Sequence, residues 1–149
     1  MIRQRSLMDR AVDLLSRREY SRRELASRLR PHAASAEELE QVLDSLSERN
    51  WQSDLRFAEQ FARVKGEKYG TLRLRHAMRE KGLDNALIED ALSSHDDLAL
   101  ARDIWRRKFG TPPDSPQERT RQVRFLAGRG FSLDIIRKVV SGCDDDFTD

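Results

Sequence analysis

Along this chain, apolar residues return three and four positions apart, the spacing that gathers side chains on one face of an α-helix. Each such run follows a residue able to cap a helix start. Ser6 with Asp9, Ser21 with Glu24 and Ser35 with Glu38 each set a side-chain oxygen at a helix entrance and an acid three residues on. They predict three helices, the second ending near Arg30-Pro31 and the third near Asn50. Asp54 predicts a helix whose Phe57, Phe61 and Val64 pack the interior. Gly70-Thr71 predicts one carrying Leu74 and Met78 and ending at Gly82, and Asp84 one carrying Ile88, Ala91 and Leu92. In a third group, Asp96-Asp97 precedes Ala101, Ile104 and Trp105; Ser115 precedes Pro116 and Glu118; and Ser132 precedes Ile135, Ile136, Val139 and Val140.

The three groups superpose. With Leu29, Met78 and Leu126 as zero, Ser35, Asp84 and Ser132 fall at +6, Leu39, Ile88 and Ile136 at +10, and Leu43, Leu92 and Val140 at +14. Tyr20 and Tyr69 both fall at −9. Phe109 joins them once about eight residues, Thr111 to Glu118, are treated as an inserted loop containing Thr111-Pro112-Pro113-Asp114-Ser115-Pro116. A period of 48 to 49 residues indicates three-helix units, each too small to bury its apolar stripe without neighbours. The expected fold is all-α: tandem three-helix repeats at residues 1–51, 52–94 and 95–142, stacked into an elongated, curved molecule, with a flexible acidic tail at 143–149.

Composition adds one feature, a charge pattern that tracks the repeat. The 149 residues are 36% charged and 38% hydrophobic, enough apolar content to fold, and the net charge is only +2. That small value hides alternating blocks: residues 1–30 carry +5, 31–55 −5, 56–81 +5, 82–101 −5, 102–139 +6 and 140–149 −4. The first two helices of each repeat are therefore basic, and a shared side would give a band suited to a polyanion. The candidates are Arg22, Arg23 and Arg28 in the first repeat, then Arg63, Lys65, Lys68, Arg73, Arg75, Arg79 and Lys81 in the second. The third contributes Arg106, Arg107, Lys108, Arg121, Arg124 and Arg129. Arg73, His76, Arg79, Glu80 and Leu72 are expected to point away from the Leu74/Met78 face, with Arg75 nearest its edge. Arg56 is a candidate for the same band or for a pair with Asp54 or Glu59, and Glu59 and Arg63 stand at the i,i+4 spacing of a helix-surface pair.

Nothing in the chain reads as catalytic, cofactor-binding or metal-ligating. His32, His76 and His95 have no partner at ligand spacing, and the single cysteine, Cys143, lies far from all three. His95-Asp96-Asp97 sits at a helix entrance, where acids favour the helix dipole. Asp144-Asp145-Asp146 reads as a solvated acidic run. There is no phosphate loop or nucleophile elbow. No apolar run approaches the ~20 residues of a membrane span, and the N-terminus has no signal-peptide pattern, so a cytoplasmic location is expected.

The ordered set Trp51-Gln52-Ser53-Asp54-Leu55-Arg56-Phe57-Ala58, Phe61, Tyr69-Gly70, Leu74-Arg75, Met78 and Lys81-Gly82-Leu83 resembles the RecX family of bacterial regulators of the RecA recombinase. The likeness runs over about residues 8–142. Family members often have Gly-Pro where this chain has Gly70-Thr71, a departure expected to weaken the rigid helix start while leaving Thr71 compatible with it. The residues by themselves lead us to expect a monomer and no enzyme; the resemblance implies a crescent of tandem three-helix repeats that binds along the groove of the RecA filament on single-stranded DNA. It would there suppress ATP hydrolysis, strand exchange and coprotease activity in recombination and the SOS response. A general or sequence-specific DNA-binding protein acting without RecA is the alternative, as is a purely protein-binding adaptor. Against sequence-specific binding, the third helices of the first two repeats open on carboxylates, which phosphates repel. Only the last, with Arg137 and Lys138, is permissive.

Overall fold

The computed structural model describes residues 5–141. The Cys143 thiol and the acidic run beyond it lie outside the described residues. Those residues form nine α-helices and no strand: α1 (Leu7–Arg17), α2 (Arg22–Leu29), α3 (Ala36–Glu48), α4 (Asp54–Lys65), α5 (Thr71–Glu80), α6 (Asn85–Leu92), α7 (Asp97–Lys108), α8 (Pro116–Gly128) and α9 (Leu133–Val140), with a 3-10 turn at Arg30–His32. The capping signals are used as their chemistry demands. Ser6 with Asp9 and Ser21 with Glu24 form reciprocal capping boxes. Ser35, Asp96, Ser115 and Ser132 each accept from the amide three residues on.

The chain divides into two compact units, Met1–Phe61 with Met78–Ala91, and Ala62–Ala77 with Leu92–Asp149. The residues of the middle repeat are thus shared between them. In the first unit, α1, α2 and α3 pack around Leu7, Ala11, Tyr20, Leu25, Leu29, Leu39, Leu43 and Leu46. In the second, α9 packs on α7 and α8 around Ala101, Ile104, Leu126, Phe131, Ile136, Val139 and Val140. All the zero, +10 and +14 residues are buried. Periodicity that returns one face of a helix to the same side leaves no other place for them.

Four expectations are corrected. Val64 is 52% exposed, because the apolar face of α4 ends with Phe57 and Ala58 in the core and Phe61 half-buried. Asp54 is the first residue of α4 and not its cap: the Ser53 hydroxyl accepts from the Arg56 amide at 3.2 Å, while Asp54 turns towards α2. Arg56 pairs with neither Asp54 nor Glu59 but donates to Glu19 at 3.0 Å and to the Trp51 carbonyl at 3.1 Å. The extra length of the third repeat is only partly loop, since α8 has 13 residues against 8 in α2 and 10 in α5. Pro116, compatible with a first helical position, lets the helix start early. Buried Gln122 then pins the remaining loop, donating to the Thr111 carbonyl at 3.1 Å and accepting from the Trp105 indole at 2.8 Å.

Each unit contains one junction where the start of a second helix meets the end of the next repeat's second helix. In the first unit, the Ser21 hydroxyl donates to the Lys81 carbonyl at 2.8 Å, and Asp54 accepts from the Arg22 amide at 2.8 Å. In the second, the amides of Gly70 and Leu72 donate to the carbonyls of Arg129 and Gly130 at 2.8 and 3.1 Å. Asp97 there accepts from both the amide and the hydroxyl of Thr71. A helix N-terminus thereby meets a helix C-terminus, joining opposite ends of two peptide dipoles and satisfying amides that a free helix start leaves unpaired. The close approach requires glycine. Gly130, at φ +98°, lies where a Cβ would fall 2.3 Å from the Arg73 Cβ, and Gly82, at φ +79°, where it would fall 2.8 Å from the Arg23 Cβ.

Two substitutions in α8 and its cap separate this constraint from ordinary helix propensity. Gly130→Ala is expected to destabilise by about 2 kcal/mol or more, combining a left-handed backbone with overlap. Gly128→Ala, in a helix with open space around it, is expected to be neutral or stabilising by up to about 1 kcal/mol. Urea denaturation of both variants gives the comparison. Leu126→Ala, at a fully buried zero position, is expected to cost roughly 2–5 kcal/mol in the same assay, with Leu29→Ala and Met78→Ala in the same range.

Candidate functional site

The turn at Gly66–Tyr69 carries the chain from α4 into α5, and in the second unit it faces the last turn of α7 and the end of α8. Between them lies an open groove of about 740 Å³, lined by Glu67, Lys68, Tyr69, Arg73, Ile104, Arg107, Lys108, Phe125 and Arg129. Five cations and two aromatic rings thus face one acid. The Arg73 guanidinium lies 3.9 Å from the Tyr69 ring centroid, and Arg129 sits between rings, 5.9 Å from Tyr69 and 5.3 Å from Phe125. Lys108 is 5.2 Å from Phe125, which meets Phe109 edge-on at 5.5 Å.

The two arginines also link the walls of the groove. Arg73 donates to the Gly128 carbonyl at 3.0 Å and Arg129 to the Lys68 carbonyl at 3.1 Å, so each guanidinium ties one wall to the other. Below them, His95 Nε2 lies 2.9 Å from the Tyr69 carbonyl and 3.1 Å from Asp97 Oδ1, fixing the turn that presents Lys68 and Tyr69. His95, Asp96 and Asp97 are thereby structural: Asp96 caps α7 and Asp97 caps α5. Arg107 is paired with Asp103. Among the described residues, Lys68 and Lys108 have no carboxylate within ion-pair distance.

The first unit holds a second cluster, with a different balance. Arg18, Tyr20, Arg23, Arg28 and Lys81 line a smaller groove with Glu24 and Glu80. Arg18 stacks 3.6 Å over Tyr20, and both Arg18 and Lys81 reach the Glu24 carboxylate, at 3.3 and 3.0 Å. Burial pushes the Glu24 carboxyl up, but hydrogen bonds from Arg18, the Ser21 amide and Lys81 outweigh it and hold its pKa below the usual 4.5. Arg22 is clamped at 2.7 Å by Glu40 and by Asp44, and despite partial burial these carboxylates raise its pKa.

The basic residues singled out in the sequence therefore separate into distinct settings. Lys68, Arg73, Arg107, Lys108 and Arg129 converge on the groove of the second unit. Arg23, Arg28 and Lys81 gather in the first, beside Arg22 in its clamp. Arg63, Lys65 and Arg106 are exposed but line neither groove. Arg79 is exposed near Asn85, Arg75 is half-buried, Arg121 pairs with Glu118 and lies 5.4 Å from the Phe109 ring centroid, and Arg124 lines a separate shallow depression. Sequence reasoning missed Arg18 and the rings as partners of the arginines. The signal was present: Arg18-Glu19-Tyr20, Lys68-Tyr69 and Lys108-Phe109 all put a cation within two residues of the −9 aromatic.

Models of the first, second and third three-helix domains of RecX match residues 8–46, 53–92 and 95–140. The chain is 56% identical to the regulatory protein RecX of Chromobacterium violaceum over 144 residues, covering 96% of this chain and 95% of that one. The chain belongs to the RecX family. It is also 44% identical to the regulatory protein RecX of Neisseria meningitidis, covering 96% of this chain and 94% of the other. The crystal structure of RecX from Lactobacillus salivarius, 23% identical, superposes with a TM-score of 0.73 over 91% of this chain and 92% of that one, sharing its fold.

The residues that carry the RecX resemblance prove to be mostly architectural. Phe57, Ala58, Leu74, Met78 and Leu83 are buried, Gln52 donates to the Tyr20 carbonyl at 3.2 Å, and Asp54 and Arg56 make the bonds described above. At Gly70, an added Cβ would lie 2.5 Å from the Gly130 carbonyl oxygen. Thr71 is compatible with its helix start: where a proline would have no amide hydrogen, threonine supplies two donors to Asp97.

Because the folded pKa of Glu24 is depressed, its contribution to stability is full above the ordinary carboxylate range and is lost as pH falls through the folded value. Glu24→Gln is accordingly expected to be less stable than the parent chain at pH 7, with the gap closing towards pH 3. Urea midpoints across that range provide the measurement.

Proposed function

We propose that this chain regulates the RecA recombinase by binding the RecA filament on single-stranded DNA and inhibiting its ATPase, strand-exchange and coprotease activities. Membership of the RecX family, with all three of its helical domains matched in order, carries the reading. The curated relatives are named regulatory proteins, in keeping with a binding role and not an enzymatic one. Among the described residues, no helix is long and apolar enough to cross a membrane, and a cytoplasmic setting suits a partner that works on chromosomal DNA. Two clusters of arginine and lysine with aromatic rings suit a partner rich in phosphate and acidic surface. The repeats correspond to residues 1–51, 52–94 and 95–142, and the protein acts as a monomer.

The test is binding to RecA filaments assembled on single-stranded DNA with a slowly hydrolysed ATP analogue, against the same DNA bare, over a salt series. A preference for the filament that persists at physiological salt is expected. Equal binding to both, falling steeply with salt, would instead favour a DNA-binding protein that acts without RecA.

A further inference from the structure

The two basic clusters differ in how much of their charge is already neutralised. In the first unit, Arg18 and Lys81 share Glu24, Arg22 is held by Glu40 and Asp44, and Glu80 lines the groove as well. In the second, Glu67 is the one acid lining the groove; Asp103 offsets Arg107, while Arg73 and Arg129 spend hydrogen bonds on neutral carbonyls. A carbonyl removes a donor but no charge, so the positive potential of those arginines remains. Lys68 and Lys108 add ammonium groups that are exposed and, among the described residues, unpaired.

The rings decide what kind of anion fits. An acidic peptide would need only the cations, whereas unpaired bases stack on aromatic faces and on guanidinium planes. Here the exposed Arg73 guanidinium lies over the Tyr69 ring, its carbon 3.9 Å from the centroid, which places a planar cation and an aromatic ring beside the two lysines. A duplex keeps its base faces covered and could not use that surface.

We propose that the groove of the second unit binds the sugar–phosphate backbone of single-stranded DNA, with Lys68 and Lys108 as its phosphate ligands. This deepens the regulator reading and rests on it for the strand encountered, the DNA of the filament. Arg73 and Arg129 act as positioning residues: they tie the groove walls together and supply the planes against which bases lie.

The experiment is fluorescence anisotropy of a dye-labelled oligothymidylate, without RecA, titrated with the full chain over a salt series. Three proteins are compared: the parent chain, Lys68→Gln with Lys108→Gln, and Arg17→Gln with Arg119→Gln. The last removes the same charge from exposed positions outside both grooves. The lysine pair is expected to bind roughly tenfold more weakly at 0.1 M salt, with a salt slope shallower by about 1.4, from about 0.7 per phosphate contact. The arginine pair is expected to track the parent. Equal affinity and slope for parent and lysine pair, with circular dichroism and melting unchanged, would overturn the proposal. So would equal weakening by the arginine pair. A parent chain that ignores the bare oligonucleotide, but loses filament binding with the lysine pair, would assign the groove to an acidic protein face and overturn it too. The filament titration stands apart: without filament preference the regulator reading falls, while the oligonucleotide result still decides the groove.

Discussion

The structure depends on a carboxylate that accepts a hydrogen bond across a repeat boundary. Asp54 and Asp97 each sit in the first turn of one repeat and accept from the first amide of the second helix in the repeat before. Each such bond is worth only about 1 kcal/mol, but its importance is geometric. A helix start buried against a neighbour must have its amides satisfied, and a side chain from the next repeat does this only if the helices end at one particular place. The glycines at the opposing helix ends follow from the same requirement, because the backbones approach where a Cβ would overlap.

That constraint also accounts for the distribution of charge. Helix starts draw in acids and helix ends favour bases, so part of the alternation along the chain is a by-product of capping. Arg22, Arg56 and Lys81 carry the charge expected of a binding surface, yet their side chains are engaged by Glu40 and Asp44, by Glu19 and by Glu24. The charge left for a partner is better judged by subtracting these internal pairs than by counting lysines and arginines.

The helices and their core were legible because capping and periodicity are local: Ser6, Ser21, Ser35, Ser115 and Ser132 all cap as their spacing foretold. Asp54 was misread because it directly follows Ser53, whose hydroxyl accepts from the Arg56 amide, and lies thirty-two residues from the amide it serves, a partner no window of sequence contains. Val64 was misread because a helical repeat of apolar residues does not say where the neighbouring helix stops covering it. At the candidate site, the individual cations were visible but their grouping was not. Lys68, Lys108 and Arg129 meet only because α7 and α8 fold back on the turn after α4; of the two rings beside them, Tyr69 had served only as a marker of the repeat and Phe125 had not been singled out.

The pinned loop of the third repeat has an optical consequence. The chain has two tryptophans, Trp51 in the first unit and Trp105 in the second. The indole of Trp105 is half-buried and bonded to Gln122, whereas Trp51 is 47% exposed with the Arg49 guanidinium 5.0 Å from its ring. Their emission spectra should therefore differ, with Trp51 nearer that of a hydrated indole. Replacing either one with phenylalanine would leave a chromophore native to a single unit, so that the two halves of the molecule could be watched separately, without a dye, as they melt or meet a partner.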